Sequence, residues 1–213
     1  MDPNNPYAAP QVTLIDEQTP PRLVGWNSGN LQMLGWLSLA SIVVTLLALV
    51  AAFLGGDQPR SVADTAADWL SLVSTLLGCY LLLRLRAFLE QRFSAKGLLL
   101  PIVLTLLFSL LAEGMDWVWG DSIYSSLGWQ TLVFFAVFVL MGLTTLWLGI
   151  ALLRIRSSYP VLRVMAWLEI VGGVMFASVV LVLVALIPLL GASLAMALLF
   201  FRGAGELQGQ QAA

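Results

Sequence analysis

Long apolar runs separated by short polar segments fill most of the chain. A helix needs roughly 20 apolar residues to cross the hydrocarbon core of a bilayer, which is about 30 Å thick. Four runs stand apart between residues 31 and 153, and the apolar stretch from Val161 to Phe201 is too long for one crossing, even a tilted one. We therefore predict an all-α, polytopic transmembrane bundle with six spans, at residues 31–54, 62–83, 97–112, 127–153, 161–186 and 188–202.

The last apolar stretch must contain a turn. Proline favours the first turn of a helix and disfavours a helical conformation in the residue before it. Pro188 therefore predicts the turn at Leu186–Leu189, followed by a short sixth span that Gly203 and Gly205 end. Five spans are the alternative, if the final segment only dips into the membrane.

Residues 1–30 are polar and contain five of the nine prolines. Proline lacks a backbone N–H, and the segment has little apolar surface to bury. The start is acidic rather than basic, which argues against a secretory signal peptide. We expect a disordered, Pro-rich cytoplasmic tail, then a transmembrane domain at 31–202 and a short polar C-terminal tail at 203–213.

Basic residues concentrate in the connections after spans two and four, whereas the opposite connections are acidic. Short loops rich in lysine and arginine remain in the cytoplasm. Tryptophan, which prefers the membrane interface, occurs near both ends of the predicted spans. The pattern predicts that both basic connections and both termini are cytoplasmic. The basic residues are Arg84, Arg86, Arg92, Lys96, Arg154, Arg156 and Arg163.

Composition excludes several classes of protein. Only 10% of the 213 residues are charged, whereas about 25% are charged in a typical soluble domain. The absence of histidine excludes imidazole-dependent sites, and a single cysteine excludes an internal disulfide. A net charge of −2 without a basic stripe argues against a nucleic-acid partner. Without a recognisable nucleotide, hydrolase, redox or zinc motif, we expect no cofactor and no enzymatic activity.

The segments 77–86 and 148–156 resemble each other, because both run from Leu-Gly through leucines to Arg-x-Arg. This indicates two parallel copies of a helical hairpin, spans two–three and four–five, an arrangement found in transporters. The interpretation that we favour is that any helix leaving into the cytoplasm has leucines followed by arginines.

Four short motifs, at residues 5–10, 152–156, 163–168 and 197–202, resemble those of an uncharacterised family of small multi-pass bacterial inner-membrane proteins. They read Asn-Pro-Tyr-Ala-Ala-Pro, Leu-Leu-Arg-Ile-Arg, Arg-Val-Met-Ala-Trp-Leu and Ala-Leu-Leu-Phe-Phe-Arg. The resemblance implies a location in the bacterial inner membrane. It carries no catalytic residues over to this chain.

Glu169 is the one acid inside a predicted span and away from its ends. Ionisable groups within a membrane are costly and often functional. Glu169 follows Arg163 by six residues, about 9 Å along a helix, which favours a position near the inner interface. There we expect an intramembrane ion pair with Arg154 or Arg84. The alternative is a proton or ion site.

Two pairs of acids mark the predicted outer face. Asp64 and Asp68 are four residues apart, and Glu113 and Asp116 are three apart, so each pair shares a helix face. Oxygen ligands from two helix ends suit a hard cation such as Ca²⁺ or Mg²⁺. A solvated acidic rim without a metal is the interpretation that we favour.

Arginines on the inner side are candidates for binding anionic lipid head groups. The alternative is that they only set the topology. The candidates are Arg84, Arg86, Arg154 and Arg156.

A non-enzymatic accessory or scaffold subunit is the function that the sequence favours. The spans hold almost no charge, and a water-filled path normally needs a polar lining. Its partners would be the lipid bilayer and another membrane protein or a second copy of the chain. A small transporter or channel subunit is the alternative, and a lipid-acting membrane enzyme is a third.

Overall fold

The computed structural model describes residues 25–55, 61–120, 128–155 and 159–212. These residues form six α-helices and no strand. Each helix is long and apolar enough to cross a membrane, so the predicted all-α bundle of six spans is confirmed and the chain is a multi-pass membrane protein. The helices are α1 (Ser28–Gly55), α2 (Val62–Phe93), α3 (Leu99–Trp119), α4 (Trp129–Leu153), α5 (Pro160–Ala177) and α6 (Val182–Ala212).

The six helices form a closed ring. Each packs against the next in chain order, and α6 returns to pack against α1. The interface between α2 and α3 is the sparsest in the ring, whereas α4 and α5 form the most extensive one. The two hairpins of the predicted repeat therefore differ in how tightly their helices pack.

The ring has two chemically different ends. We call the acidic end the one with Asp64, Asp68, Glu113 and Asp116, where α2 begins and α3 ends. An aromatic contact joins the two helix ends there: the Trp69 ring of α2 lies 5.2 Å from the Trp117 ring of α3. We call the basic end the opposite one, where Arg92 lies in the last turn of α2 and Arg154 follows the last turn of α4.

Most of the apolar core lies toward the basic end. Leu34, Leu85 and Leu89 are fully buried there, and the Phe88 ring packs edge-on against Phe200 at 5.9 Å. A smaller cluster lies at the acidic end of α3 and α4, around Phe134. Tight apolar packing is thus concentrated near the basic end.

Local signals explain how α2 begins and ends. The Ser61 hydroxyl accepts a hydrogen bond from the Asp64 N–H at 3.0 Å, which is a standard N-cap, and the carboxylate of Asp64 suits the positive end of the helix dipole. Ser94 ends the helix in the left-handed conformation with φ 49°. The helix extends past the predicted end at residue 83, so the basic segment is also helical.

The predicted turn at Leu186–Leu189 is wrong. The turn lies at Ser178–Leu181, where Val179 has φ 60° and the Ser178 hydroxyl accepts from the Leu181 N–H at 3.3 Å. Pro188 lies inside α6. Gly172 on α5 leaves room for the neighbouring residue, because a Cβ there would lie 2.7 Å from the Leu189 side chain, whereas it would only touch Pro188 at 3.6 Å. Proline is tolerated inside membrane helices when neighbouring groups accommodate it.

The glycines predicted to end the last span do not end it. The helix continues through Gly203 and Gly205 to Ala212, so residues 203–212 are helical rather than a separate tail. A Cβ on Gly203 would lie 3.0 Å from the Phe88 ring. The glycine therefore leaves room on α6 for the Phe88 ring of α2.

Glycines also bring α4 and α5 together. A Cβ on Gly142 would lie 2.4 Å from the backbone nitrogen of Ala177, and one on Gly173 would lie 2.5 Å from that of Leu146. Small residues at such positions allow the backbones of membrane helices to approach each other.

Candidate functional site

A cavity of about 180 Å³ lies inside the ring, and residues from all six helices line it. Gly78, Leu81 and Leu82 of α2 and two residues of α6, Leu189 and Met196, form the apolar part. The remaining lining residues are polar, and they come from α1, α3, α4, α5 and α6. These residues are Ser38, Ser41, Thr105, Thr145, Glu169 and Ser193.

Among the described residues, Glu169 is the single ionisable one that lines this cavity. Only 8% of it is exposed, and its carboxylate receives no hydrogen bond and forms no ion pair with any described residue. Glu169 lies about 14 Å from Pro160 and about 12 Å from Ala177 at 1.5 Å per residue. It is therefore near the middle of α5 rather than near an interface.

The hydroxyl groups around Glu169 present acceptors to the cavity. Four of them donate their hydrogen to the carbonyl four residues earlier in their own helix: Ser38 to Leu34 at 2.9 Å, Thr105 to Pro101 at 2.8 Å, Thr145 to Met141 at 2.9 Å and Ser193 to Leu189 at 3.2 Å. A hydroxyl has one hydrogen and two lone pairs, so these groups retain only acceptor capacity. Together with an ionised carboxylate, they suit a proton or a cation.

The structure does not bring Glu169 together with either predicted partner. The Arg84 guanidinium lies over the Trp26 ring, 4.8 Å from its centroid, and Arg154 is exposed at the end of α4. The expectation failed because it measured the depth of Glu169 from Arg163 alone. The full extent of α5 gives a mid-helix position facing the ring interior.

The acidic residues at the acidic end fall into two neighbouring pockets. Asp64, Asp68 and Asp116 line one of about 370 Å³. Glu113 and Asp116 line the other, of about 270 Å³. In the described residues, no group of three or more side chains from His, Cys, Asp and Glu has a geometry that could hold a metal ion. The metal-free acidic rim stays a prediction.

Glu113 accepts hydrogen bonds from two hydroxyls of α2. Both donate to the same carboxylate oxygen, Oε2, from Ser71 at 3.0 Å and from Thr75 at 3.1 Å. The contact links α3 to α2 across the sparsest interface of the ring.

The candidate lipid-binding arginines differ in their surroundings. Arg86 pairs with Glu90 one turn later at 2.7 Å, and Arg84 stacks on Trp26. Arg154 is exposed. Arg156 lies outside the described residues. Arg154 alone of the described three has neither an ion pair nor a ring beneath it.

A polar cluster at the basic end was not predicted from the sequence. Arg92 is 4% exposed and donates to Glu206 Oε2, which also accepts from the Tyr159 hydroxyl. Arg202 lies over the Tyr159 ring, 5.0 Å from its centroid. Arg202 and Glu206 are four residues apart, a spacing that indicates a pair on one helix face. This signal was not used, because the predicted helix ended at residue 202.

Tyr159 precedes the first turn of α5 and has a perturbed hydroxyl. Burial raises its pKa to about 12, and the hydrogen bond to the Glu206 carboxylate adds to the rise. Arg92 acts in the opposite direction but less strongly. The cluster joins the basic ends of α2, α5 and α6 through a neutral phenol and charged partners.

Comparison with known proteins provides no relative. No protein-family model matches the chain, and neither the curated proteins nor the solved structures contain a match. The family resemblance in the four sequence motifs therefore stays a prediction. The geometry of the Glu169 cavity is what remains to indicate a function.

Proposed function

We propose that the protein is a small membrane transporter in which the Glu169 cavity binds a proton or a monovalent cation. The observation that carries this proposal is the cavity itself. A buried carboxylate near mid-span lies among hydroxyls that have only acceptor capacity left. A species that enters such a cavity must donate hydrogen bonds or carry positive charge.

The energetic cost of Glu169 supports a functional role. An acidic residue at the centre of a membrane helix costs about 2.5–3.5 kcal/mol on insertion scales, and ionisable residues in such positions commonly mark ion or proton pathways. The carboxylate has no partner among the described residues that would offset this cost. A bound cation or proton would neutralise it.

The surroundings of the cavity support access from the acidic end. Thr105 of the cavity and Ser109 of the Glu113 pocket are one turn apart on α3, as Thr145 and Met141 are on α4. The larger cluster of buried side chains, rich in leucine and including Phe88 and Phe200, lies toward the basic end. An alternating-access cycle would open that packing while closing the α2–α3 side.

The sequence favoured a scaffold because its spans hold little charge. A water-filled path normally needs a polar lining, and the hydroxyls in the cavity provide one. The geometry of the cavity therefore favours a transporter over a scaffold. The rest of the proposal follows the sequence: a bacterial inner-membrane protein without enzymatic activity, with both termini in the cytoplasm and its exposed apolar faces on lipid or on a second copy of the chain.

Flux through liposomes tests the proposal. The purified protein is reconstituted, and uptake of H⁺, Na⁺ and K⁺ is measured under an imposed gradient, with protein-free liposomes as background. Glu169→Gln keeps the side-chain shape and removes the charge, and we expect flux of the transported ion to fall about tenfold or more. Glu90→Gln, on the partly exposed Arg86–Glu90 pair, is the matched control and should retain flux.

Two results would contradict the proposal. One is a wild-type protein that conducts none of the three ions above background. The other is equal flux in Glu169→Gln and the wild type. A thermal unfolding profile of each variant separates lost transport from lost folding.

A further inference from the structure

We infer that the Glu113 pocket is a separate binding site for a small organic monocation, such as a quaternary or protonated amine. The pocket lies at the acidic end between α2, α3 and α4 and has a volume of about 270 Å³. This volume is near the lower end of the ~300–1,000 Å³ range of small-molecule pockets. The inference does not depend on transport through Glu169.

One wall of the pocket is anionic and fixed in orientation. The Ser71 and Thr75 hydroxyls hold oxygen Oε2 of Glu113. Oxygen Oε1 receives no hydrogen bond from a described residue, so it is available to a ligand. Asp116 also lines the pocket, and no described lysine or arginine does.

Another part of the lining is aromatic. Phe134 and Phe138 of α4 line the pocket, with their ring centroids 4.6 Å apart. Phe138 in turn stacks on Phe176 of α5 at 5.1 Å and an interplanar angle of 11°. Aromatic faces attract quaternary and protonated amines through the cation–π interaction.

The chemistry of the lining distinguishes an organic cation from a metal ion. Ca²⁺ takes six to eight oxygen ligands and Mg²⁺ about six. Besides two carboxylates and three hydroxyls, this lining has two phenyl rings, an alanine and the Met141 thioether, whose sulfur accepts from Ser109 at 3.3 Å, and the described residues contain no acidic group of three or more suited to a metal ion. A pocket that combines carboxylates with phenyl rings suits an ammonium group that carries apolar substituents.

The neighbouring pocket would raise the local concentration of cations. Asp64 and Asp68 line it together with Asp116, the residue that both pockets share. Acidic clefts attract cations by focusing the electrostatic potential. Cations would thus reach Glu113 through an acidic approach at this end of the ring.

Binding of choline and of its uncharged isostere 3,3-dimethylbutan-1-ol tests the inference. Both are titrated calorimetrically into the full-length protein in maltoside micelles, which contain no choline. We expect choline to bind about tenfold or more tightly than the isostere, and Glu113→Gln to remove this preference. Phe138→Leu keeps an apolar wall without the π-face and should weaken choline binding roughly two- to fivefold. Glu90→Gln should bind choline as the wild type does.

Three results would overturn the inference: no choline binding by the wild type, equal binding of the isostere, or unchanged binding in Glu113→Gln with normal thermal unfolding. Glu169→Gln should retain choline binding even if its ion flux is lost, so this site and the proposed transport function fail independently. Nanodiscs of phosphatidylcholine and phosphatidylglycerol identify the source of the amine. If choline binds less in phosphatidylcholine nanodiscs than in phosphatidylglycerol nanodiscs, the lipid head group competes for the site and is its ligand. Equal choline binding in the two kinds of nanodisc would assign the site to a soluble amine.

Discussion

Replacing Gly142 by alanine tests the helix contact on which the ring depends. The added Cβ would lie 2.4 Å from the backbone nitrogen of Ala177 and 2.7 Å from its Cα. Carbon atoms in contact prefer about 3.5–4.0 Å, so α4 must move away from α5 by about 1 Å. A gap of that size forfeits a quarter to a half of each dispersion contact along the interface.

We expect Gly142→Ala to lower the free energy of unfolding by about 1–3 kcal/mol, the range for overpacked interiors. Gly114→Ala is the matched control, because no atom lies within 4 Å of a Cβ there. In the control, alanine should be neutral or stabilise the helix by up to ~1 kcal/mol. The measurement is unfolding in mixed micelles titrated with sodium dodecyl sulfate, followed by circular dichroism.

A second substitution sharpens the test. The added Cβ in Gly142→Ala meets the backbone of Ala177 as well as its side chain, so Ala177→Gly should restore only part of the lost stability. Equal stability of Gly142→Ala and Gly114→Ala would refute the proposed close contact. Complete rescue by Ala177→Gly would show that the side chain, not the backbone, causes the clash.

Three further predictions concern the basic end and the topology. Glu206→Ala leaves the buried Arg92 without its carboxylate and should cost about 1.5–3 kcal/mol of unfolding free energy, whereas Glu90→Ala on a more exposed pair should cost less than ~1 kcal/mol in the same unfolding assay. The Tyr159 pKa is raised from 10.0 to about 12, so the folded state retains a proton that the unfolded state loses, and stability should fall by up to ~1.4 kcal/mol per pH unit between pH 10 and 12. Tyr159→Phe should remove that part of the pH dependence in unfolding curves, and an identical slope in both proteins would contradict the assignment. Single cysteines near residues 90 and 210, in a background without Cys79, should react with a membrane-impermeant reagent only after the cells are permeabilised. Labelling of these cysteines in intact cells would contradict the predicted cytoplasmic location.

Apolar run length was sufficient to predict the six helices. The final turn could not be predicted, because the preference of proline for a first helical turn is local, whereas the packing of α6 against Gly172 at Leu189, next to Pro188, is tertiary. The end of α6 was missed for the same reason, since Gly203 serves packing against Phe88 rather than termination.

The candidate site was only partly visible in the sequence. Glu169 was identified from its rarity inside a span, but its neighbours were not. The cavity hydroxyls are distributed over four helices, and a serine or threonine in a membrane helix is individually uninformative because it bonds to its own backbone. Only closure of the ring brings these hydroxyls to one carboxylate.

The order of the helices around the ring has a consequence for biosynthesis. Five of the six interfaces join helices adjacent in sequence, so each hairpin can pack soon after its second helix enters the membrane. The sixth interface joins α1 to α6 and must form after the last helix has been synthesised. Arg92 likewise meets Glu206 only then. Until that moment Glu169 has no enclosed cavity around it, so a nascent chain arrested before α6 would hold this carboxylate in contact with lipid or an insertion factor.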